Sequence, residues 1–403
     1  MIAQRGRCSA AFQARIVTRY HACVRFFLNG SRRDAAYRGL FTDDEYRDVH
    51  AYSADHPELS PTPLRQLRPL AHKLGLGAIY AKDETHRFGV DAFKIIGARY
   101  AVHRLGSEVA ARGVVCATAG NHGRAVARVA HQKRVPCTIF VPAPRSSDPL
   151  ETSTRKARVE AMRADGADVI DVDGTYEEAV RQATAFGRLT GATIVSDTLL
   201  PIDARPEGRA YERTDARSEG RAHEQIPYWI MLGYTQILEE ASSQWDSPPT
   251  VVIVQGGVGG LVCAAASWFA HRFGERRPYF MAAEPENAAC LMMSAQAGHA
   301  VTIDSSLDTI MAGLRCAAPS AAAWPTIASG VDAFVTVPDS AAIEAMHLMS
   351  EAPVDERIEA GPSGACGVAA LMQITRAPEF AQLRSAAGLD RSTRALVIVT
   401  EGV

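Results

Sequence analysis

The chain has 403 residues, 47% of them hydrophobic and 22% charged, which is more than one small core holds and is ordinary for a soluble protein of two lobes. Its net charge of −2 argues against a nucleic-acid or anionic-membrane partner. No apolar run approaches the roughly 18 residues of a membrane-spanning helix.

Residues 1–58 read as a partly disordered extension. They lack the apolar core of a secretory signal, and the Arg-rich, acid-poor start also fits a transit peptide. Eight cysteines are dispersed and none forms a Cys-x-x-Cys pair, so no metal site is indicated and most read as small buried hydrophobes in a reducing cytosol. Cys290 and Cys316 fall in loop-like stretches, where a disulfide and two free thiols are both open readings.

Prolines make 59–64 an extended entry segment. Ala78–Lys82 is a strand, 83–91 a loop, and apolar residues at helical spacing from Phe93 to Leu105 give a helix. Lys94 opens that helix between Phe93 and Ile95. A lysine so placed is either a snorkelling stem or an activated amine. The pattern then alternates: strand Val114–Thr118, helix 121–133, strand Cys137–Val141, helix 151–164, strand Val169–Val172, helix 175–189, strand Thr193–Ser196. After a polar insert come helix 228–245, strand Val251–Gln255, helix 260–273 and strand Tyr279–Glu284. Strand Phe334–Val337, helices 340–350 and 364–375, and strand Ala395–Thr400 close the chain. Such alternation predicts an α/β fold of mostly parallel sheets flanked by helices, in two lobes.

The insert contains a duplication: Asp203–Thr214 and Asp215–Ile226 are identical at eight of twelve positions. It is too polar to bury a core and reads as an exposed loop, either a neutral duplication or a partner-binding lid.

Three turns and one strand end carry chemistry. Gly256-Gly257-Val258-Gly259-Gly260 joins a buried strand to a helix, so its backbone N–H groups can close around a phosphate, although tight packing alone also uses glycines there. It lacks the Lys-Ser/Thr of a nucleotide loop. Thr118-Ala119-Gly120-Asn121-His122-Gly123 is either a carboxylate-binding turn or a capped helix start. Gly361–Ala365 is a third turn into a helix, and Thr400 ends the last apolar strand. Together with Lys94 these fit a site at the C-terminal ends of strands.

In their order, Phe93-Lys94, Gly120-Asn121-His122-Gly123-Arg124, Gly256–Gly260 and Thr400-Glu401-Gly402 resemble the tryptophan-synthase-β-like, fold type II, pyridoxal-phosphate enzymes. Lys82-Asp83-Glu84, Arg87-Phe88-Gly89, Ser196-Asp197-Thr198 and Glu284-Pro285 extend the match. Ile226-Pro227, Trp229-Ile230-Met231, Gly233-Tyr234 and Thr309–Leu314 narrow the resemblance to the diaminopropionate ammonia-lyase family. It runs from about residue 59 to the end.

The resemblance implies a large cofactor-binding domain from 59–106 and 190–403, a small domain at 107–189, and a cytoplasmic homodimer acting on a small amino acid with pyridoxal 5'-phosphate as cofactor. Lys94 would hold the cofactor as a Schiff base, its amine pKa lowered by desolvation. Gly256, Gly257, Val258, Gly259 and Gly260 would cradle the phosphate, Asn121 would meet the ring oxygen, and Thr400 would face the pyridine nitrogen. Thr118, Ala119, Gly120 and His122 would bind the substrate carboxylate. Asp197 would take the α-proton or hold the β-ammonium. The implied reaction is α,β-elimination of 2,3-diaminopropionate. The family carries an aspartate, the base for the D-isomer, where this chain has Ala119, so the L-isomer is expected to be preferred. Asp91 departs from the family's neutral residue and has no role assigned by the sequence. The other readings are a serine or threonine dehydratase-like enzyme, a biosynthetic synthase, and a cofactor-binding relic without turnover.

Overall fold

The structure, a computed structural model, describes residues 16–17, 25–30, 39–106, 109, 112–118, 120–144, 149–198, 222–304 and 306–403. Its strands are β1 (Ile16–Val17), β2 (Phe26–Leu28), β3 (Leu64–Gln66), β4 (Ala78–Asp83), β5 (Val114–Ala117), β6 (Cys137–Pro142) and β7 (Asp168–Val172). They continue as β8 (Thr193–Ile194), β9 (Val251–Gln255), β10 (Tyr279–Pro285), β11 (Thr302–Ile303), β12 (Ala333–Val337) and β13 (Arg394–Val399). Seven of them form one sheet in the order β2-β12-β10-β9-β13-β4-β3, and four form a second in the order β7-β6-β5-β8.

The apolar runs Val251–Val254 and Ala395–Val399 explain the first sheet. Strands buried on both faces need no polar alternation. Val252, Val254, Leu396 and Ile398 enter the apolar core on one face, and Val251, Ile253, Val397 and Val399 the core on the other. The inner strands pair in parallel, while the edge strands β2 and β3 run antiparallel. The second sheet is wholly parallel and packs a smaller core around Val115, Phe140 and Val172.

The helix Lys94–Leu105 lies against the helix Ala222–Ser242. Glycines permit the contact: a Cβ on Gly97 would meet the Ile230 carbonyl at 2.7 Å, and one on Gly233 would meet the Gly97 Cα at 2.9 Å. This close crossing fixes the helix that Lys94 opens.

Several expectations change. Within the N-terminal stretch, β2 pairs with β12 and Asn29 Nδ2 donates to the Ala328 and Val331 carbonyls at 2.9 and 2.8 Å. The helix Asp43–Ala54 starts on a Thr42–Glu45 capping box, and Tyr228 Oη donates to Glu45 Oε2 at 2.8 Å. The acidic first turn and reciprocal cap give this segment a local reason to fold. The entry segment contributes β3. Residues 203–221 of the duplication lie outside the described residues, but 222–226 are helical and Ile226 is fully buried, so the helix expected from 228 starts earlier and runs through Pro227. No helix among the described residues is long and apolar enough to cross a membrane.

Under the Lys94 loop sits a buried ion cluster. Arg87 donates to Glu84 Oε2 and to Glu240 Oε2, both at 2.6 Å, and Lys82 Nζ donates to Glu240 Oε2 at 2.8 Å and the Thr62 carbonyl at 2.7 Å. Burial pulls the Lys82 amine below its ordinary pKa, opposed by Glu240 and Glu84. Glu240→Ala is expected to leave two buried cations short of a partner and to cost about 3–5 kcal/mol, read from the midpoint of denaturant unfolding.

Candidate active site

The C-terminal ends of both sheets converge. Lys94 lies beyond β4, Gly256 beyond β9, Thr400 beyond β13, Thr118 beyond β5 and Asp197 beyond β8. The backbone itself joins these ends, since Phe93 N–H donates to the Thr400 carbonyl at 3.1 Å and Gly402 N–H to the Asp91 carbonyl at 3.0 Å.

Lys94 Nζ donates to Asp197 Oδ2. The amine also lies 5.5 Å from the centre of the Phe93 ring, which packs on Tyr234 at 4.8 Å between centroids. The lowered lysine pKa expected from desolvation is not what this arrangement gives. Burial does pull it down, but the Asp197 carboxylate and its hydrogen bond outweigh burial and hold Lys94 well above the lysine range. The carboxylate responds in kind: burial pushes it up, but Lys94 and then His122 hold Asp197 well below the usual carboxylate range. The sequence named both residues but not their direct contact, since the acid arrives from the other sheet.

His122 donates Nε2–H to the Val195 carbonyl at 2.9 Å and turns Nδ1 toward Asp197 Oδ2 at 3.8 Å. The ring thus lies within electrostatic reach of Asp197, whereas sequence reasoning assigned His122 only a place in the carboxylate-binding turn. Thr118 Oγ1 accepts from Gly120 N–H at 3.0 Å and shapes that turn. Ala119 lies outside the described residues. Asn121 Nδ2 donates to Glu401 Oε2 at 2.7 Å.

A phosphate fits the turn after β9. Gly259 sits at φ +94°, where a side chain is strained. A Cβ on Gly256 would collide with Leu291, one on Gly259 with Ile327, and one on Gly257 would sit 2.9 Å from Cys316 Sγ. Space behind the turn is therefore filled, and the backbone faces forward. The N–H groups of Gly257, Val258, Gly259 and Gly260 have no acceptor among the described residues, and the helix Gly260–Phe273 adds its N-terminal dipole. Behind it, Glu284 accepts from Leu291 N–H at 2.7 Å and Met292 N–H at 2.8 Å, while burial pushes its carboxyl up to about 8. Neither Cys290 nor Cys316, both beside this turn, is in a disulfide, so the disulfide reading is not realised.

Thr400 Oγ1 accepts from Gln255 Nε2 at 2.9 Å. Gln255 Nε2 also faces the carbonyls of Ile398, Ser363 and Gly364, acceptors that fix which end of the amide points there. With its lone pair so used, the Thr400 hydroxyl keeps its own proton to donate. That suits an unprotonated pyridine nitrogen.

Sequence reasoning gave no individual role to Gln255, Ser363, Tyr234 or Glu401. Ser363 N–H donates to Glu401 Oε1 at 3.2 Å, and Ser363 Oγ accepts from Gly313 N–H at 3.0 Å, so the third turn and the 309–314 motif meet at one carboxylate. The Tyr234 hydroxyl is buried with no hydrogen-bond partner among the described residues, within electrostatic reach of Lys94 and Asp197, and burial pushes its pKa up. An orphaned polar atom at the centre of the site fits a polar ligand. Asp91 gains a role: it accepts from Arg124 Nη1 at 3.1 Å and contacts His86 Nδ1 at 3.0 Å, tying the Lys94 loop to the helix Asn121–Lys133.

Comparison with known proteins agrees with this geometry. A family model described as pyridoxal-phosphate dependent enzyme matches residues 56–401. A diaminopropionate ammonia-lyase of Salmonella typhimurium is 30% identical, with 95% of this chain and 96% of that one covered. The Escherichia coli diaminopropionate ammonia-lyase in complex with an aminoacrylate-PLP azomethine reaction intermediate superposes with a TM-score of 0.78 at 27% identity, covering 98% of this chain and 95% of that one. The same E. coli enzyme in complex with D-serine superposes at 0.76 and 26% identity, over 98% and 95% of the two chains.

Proposed function

The chain belongs to the pyridoxal-phosphate-dependent enzymes, and from that premise we propose that it is an ammonia-lyase converting 2,3-diaminopropionate and water to pyruvate and two ammonia. The observation that carries the reading is the half-buried Lys94–Asp197 pair, one partner from each sheet, beside a phosphate-shaped turn. Bound pyridoxal phosphate supplies an electron-withdrawing ring that makes the substrate's α-proton acidic.

The residues divide the remaining work. Lys94 provides the amine that attaches the cofactor, and once displaced by substrate it moves protons. Gly256–Gly260 hold the phosphate, Asn121 meets the ring oxygen, and Thr400 donates to the ring nitrogen. The N–H groups at Asn121 and His122 receive the substrate carboxylate with the Thr118 hydroxyl, whose oxygen shapes the turn by accepting from Gly120 N–H. Asp197 takes the α-proton. Its carboxylate is a weak base only while the Lys94 ammonium faces it. Displaced from the cofactor as a neutral amine, Lys94 no longer sets a positive charge against Asp197, and burial raises the basicity of the carboxylate. The proton passes to the departing β-amine through Lys94. The released enamine hydrolyses to pyruvate and the second ammonia.

A small lobe from the 107–189 segment joined by β8, the large lobe around it and a cytoplasmic homodimer complete the proposal, the last supported by family likeness and checked by light scattering. The reaction is tested by following pyruvate across a panel of L-amino acids. Diaminopropionate should lead; a lead by serine or threonine identifies a dehydratase instead.

The isomer preference is proposed from the sequence at Ala119. Alanine moves no proton, so the wild-type chain should turn over the L-isomer at least about 100-fold faster than the D-isomer. Ala119→Asp should gain D-activity while keeping L-activity. Equal turnover of the two isomers by the wild type contradicts the assignment.

A further inference from the structure

We infer that Glu401 is a positioning residue for the cofactor: it locks the Asn121 amide so that the second Nδ2 hydrogen faces the ring oxygen. The inference rests on the proposed contact between Asn121 and that oxygen. An asparagine side chain has two ends of nearly the same shape but opposite hydrogen-bonding character. One end presents two N–H donors, the other a carbonyl. A ring oxygen needs the donor end, and a half-turn of the amide would set oxygen against oxygen.

Glu401 removes that ambiguity. An ionised carboxylate only accepts, so the end of Asn121 that lies 2.7 Å from Glu401 Oε2 is the Nδ2 end. One of its hydrogens is used there, leaving the other for the cofactor. The carboxylate cannot swing to follow a turned amide. Its second oxygen accepts from Ser363 N–H at 3.2 Å, its backbone carbonyl accepts from Gly361 N–H at 3.0 Å, and the residue is 6% exposed. Neighbouring glycines crowd it as well: a Cβ on Gly361 would stand 3.2 Å from Glu401 Cγ, and one on Gly313 would stand 3.5 Å from Oε2. The Arg158 guanidinium lies within electrostatic reach of Glu401. Asn121 belongs to the four-stranded side and Glu401 to the end of β13, so the bond also joins the two sheets where the ring would lie.

The geometry sets opposite demands on a glutamine at this position. Ser363 N–H is a fixed backbone donor and would keep the amide oxygen of the new side chain. The new NH2 group would then face Asn121 and favour the turned amide. Glu401→Asp keeps the charge but shortens the reach, so it loosens Asn121 without inverting it.

The test titrates the full-length chain with pyridoxal phosphate and measures the dissociation constant and the visible spectrum of the bound cofactor, without substrate. Glu401→Gln should weaken binding about 10-fold or more and shift the spectrum in the same direction as Asn121→Ala, with a smaller loss in Glu401→Asp. In the Asn121→Ala background, Glu401→Gln should add less than about 2-fold, because the effect runs through Asn121. Full additivity of the two losses, or unchanged binding in both Glu401 variants while Asn121→Ala weakens it, overturns the inference. Unchanged binding in Asn121→Ala overturns the ring-oxygen contact itself and this inference with it. If Glu401→Gln does not fold, Glu401→Asp carries the same cycle.

Discussion

Lys94→Ala is expected to lower pyruvate formation from L-2,3-diaminopropionate by about 10,000-fold. One nitrogen serves two tasks here, attaching the cofactor and then moving protons, and among the described residues no other amine contacts Asp197 to replace it. The phosphate turn is built from backbone and packing, so the variant should still hold pyridoxal phosphate without a covalent bond. Reduction with borohydride followed by peptide mass mapping checks this directly. The cofactor's mass should appear on the Lys94 peptide of the wild type and be absent from the variant. Lys94→Arg should be as inactive, because a guanidinium is not deprotonated at any working pH. Residual turnover within about 10-fold of wild type would remove Lys94 from the mechanism.

Asp197→Asn is expected to lower kcat by about 100- to 10,000-fold with cofactor loading retained. The amide keeps the shape and loses both the base and the charge that holds Lys94 above its ordinary pKa. The sign of the accompanying pH effect follows from the two shifts. Lys94 is raised in the folded chain, so its share of stability is present below the unfolded lysine pKa and is lost as pH rises beyond it. Asp197 is depressed, so its share is present above the unfolded aspartate pKa and is lost as pH falls below it. The pair therefore stabilises the cofactor-free chain throughout the neutral range. The melting temperature of cofactor-free Asp197→Asn should lie below wild type at pH 6 to 8, with the gap closing in acid. A variant with normal kcat would assign the α-proton to another group.

The element pattern of the interior was open to sequence reasoning because buried parallel strands are short uninterrupted apolar runs. Val251–Val254 and Ala395–Val399 can hardly be anything else once helices of matching length flank them. The site's glycine turns were readable for a related reason, since Gly256, Gly257 and Gly259 are forced by space and backbone angle. What stayed hidden depends on contacts between distant segments. Residues 26–28 are only three positions long, too short for any periodicity, and become β2 because Ala333–Val335 offers them an edge. Arg87, Glu84, Lys82 and Glu240 look like solvated charges in sequence and are a buried cluster in the fold. The direction of the Lys94 pKa was misjudged from local apolar neighbours alone, since Asp197 lies 103 positions away in the chain. Gln255 sat next to one recognised motif and Glu401 inside another, but which way a side chain turns at a strand end is set by what packs there, namely the Ser363 turn.

The most direct measurement adds L-2,3-diaminopropionate to the purified chain loaded with pyridoxal phosphate and follows visible absorption, pyruvate and ammonia together. The account predicts an immediate spectral change and sustained turnover, with two ammonia for each pyruvate, and loss of both signals in Lys94→Ala. A spectrum that does not respond to diaminopropionate, with no pyruvate formed while L-serine or L-threonine is consumed, would contradict it.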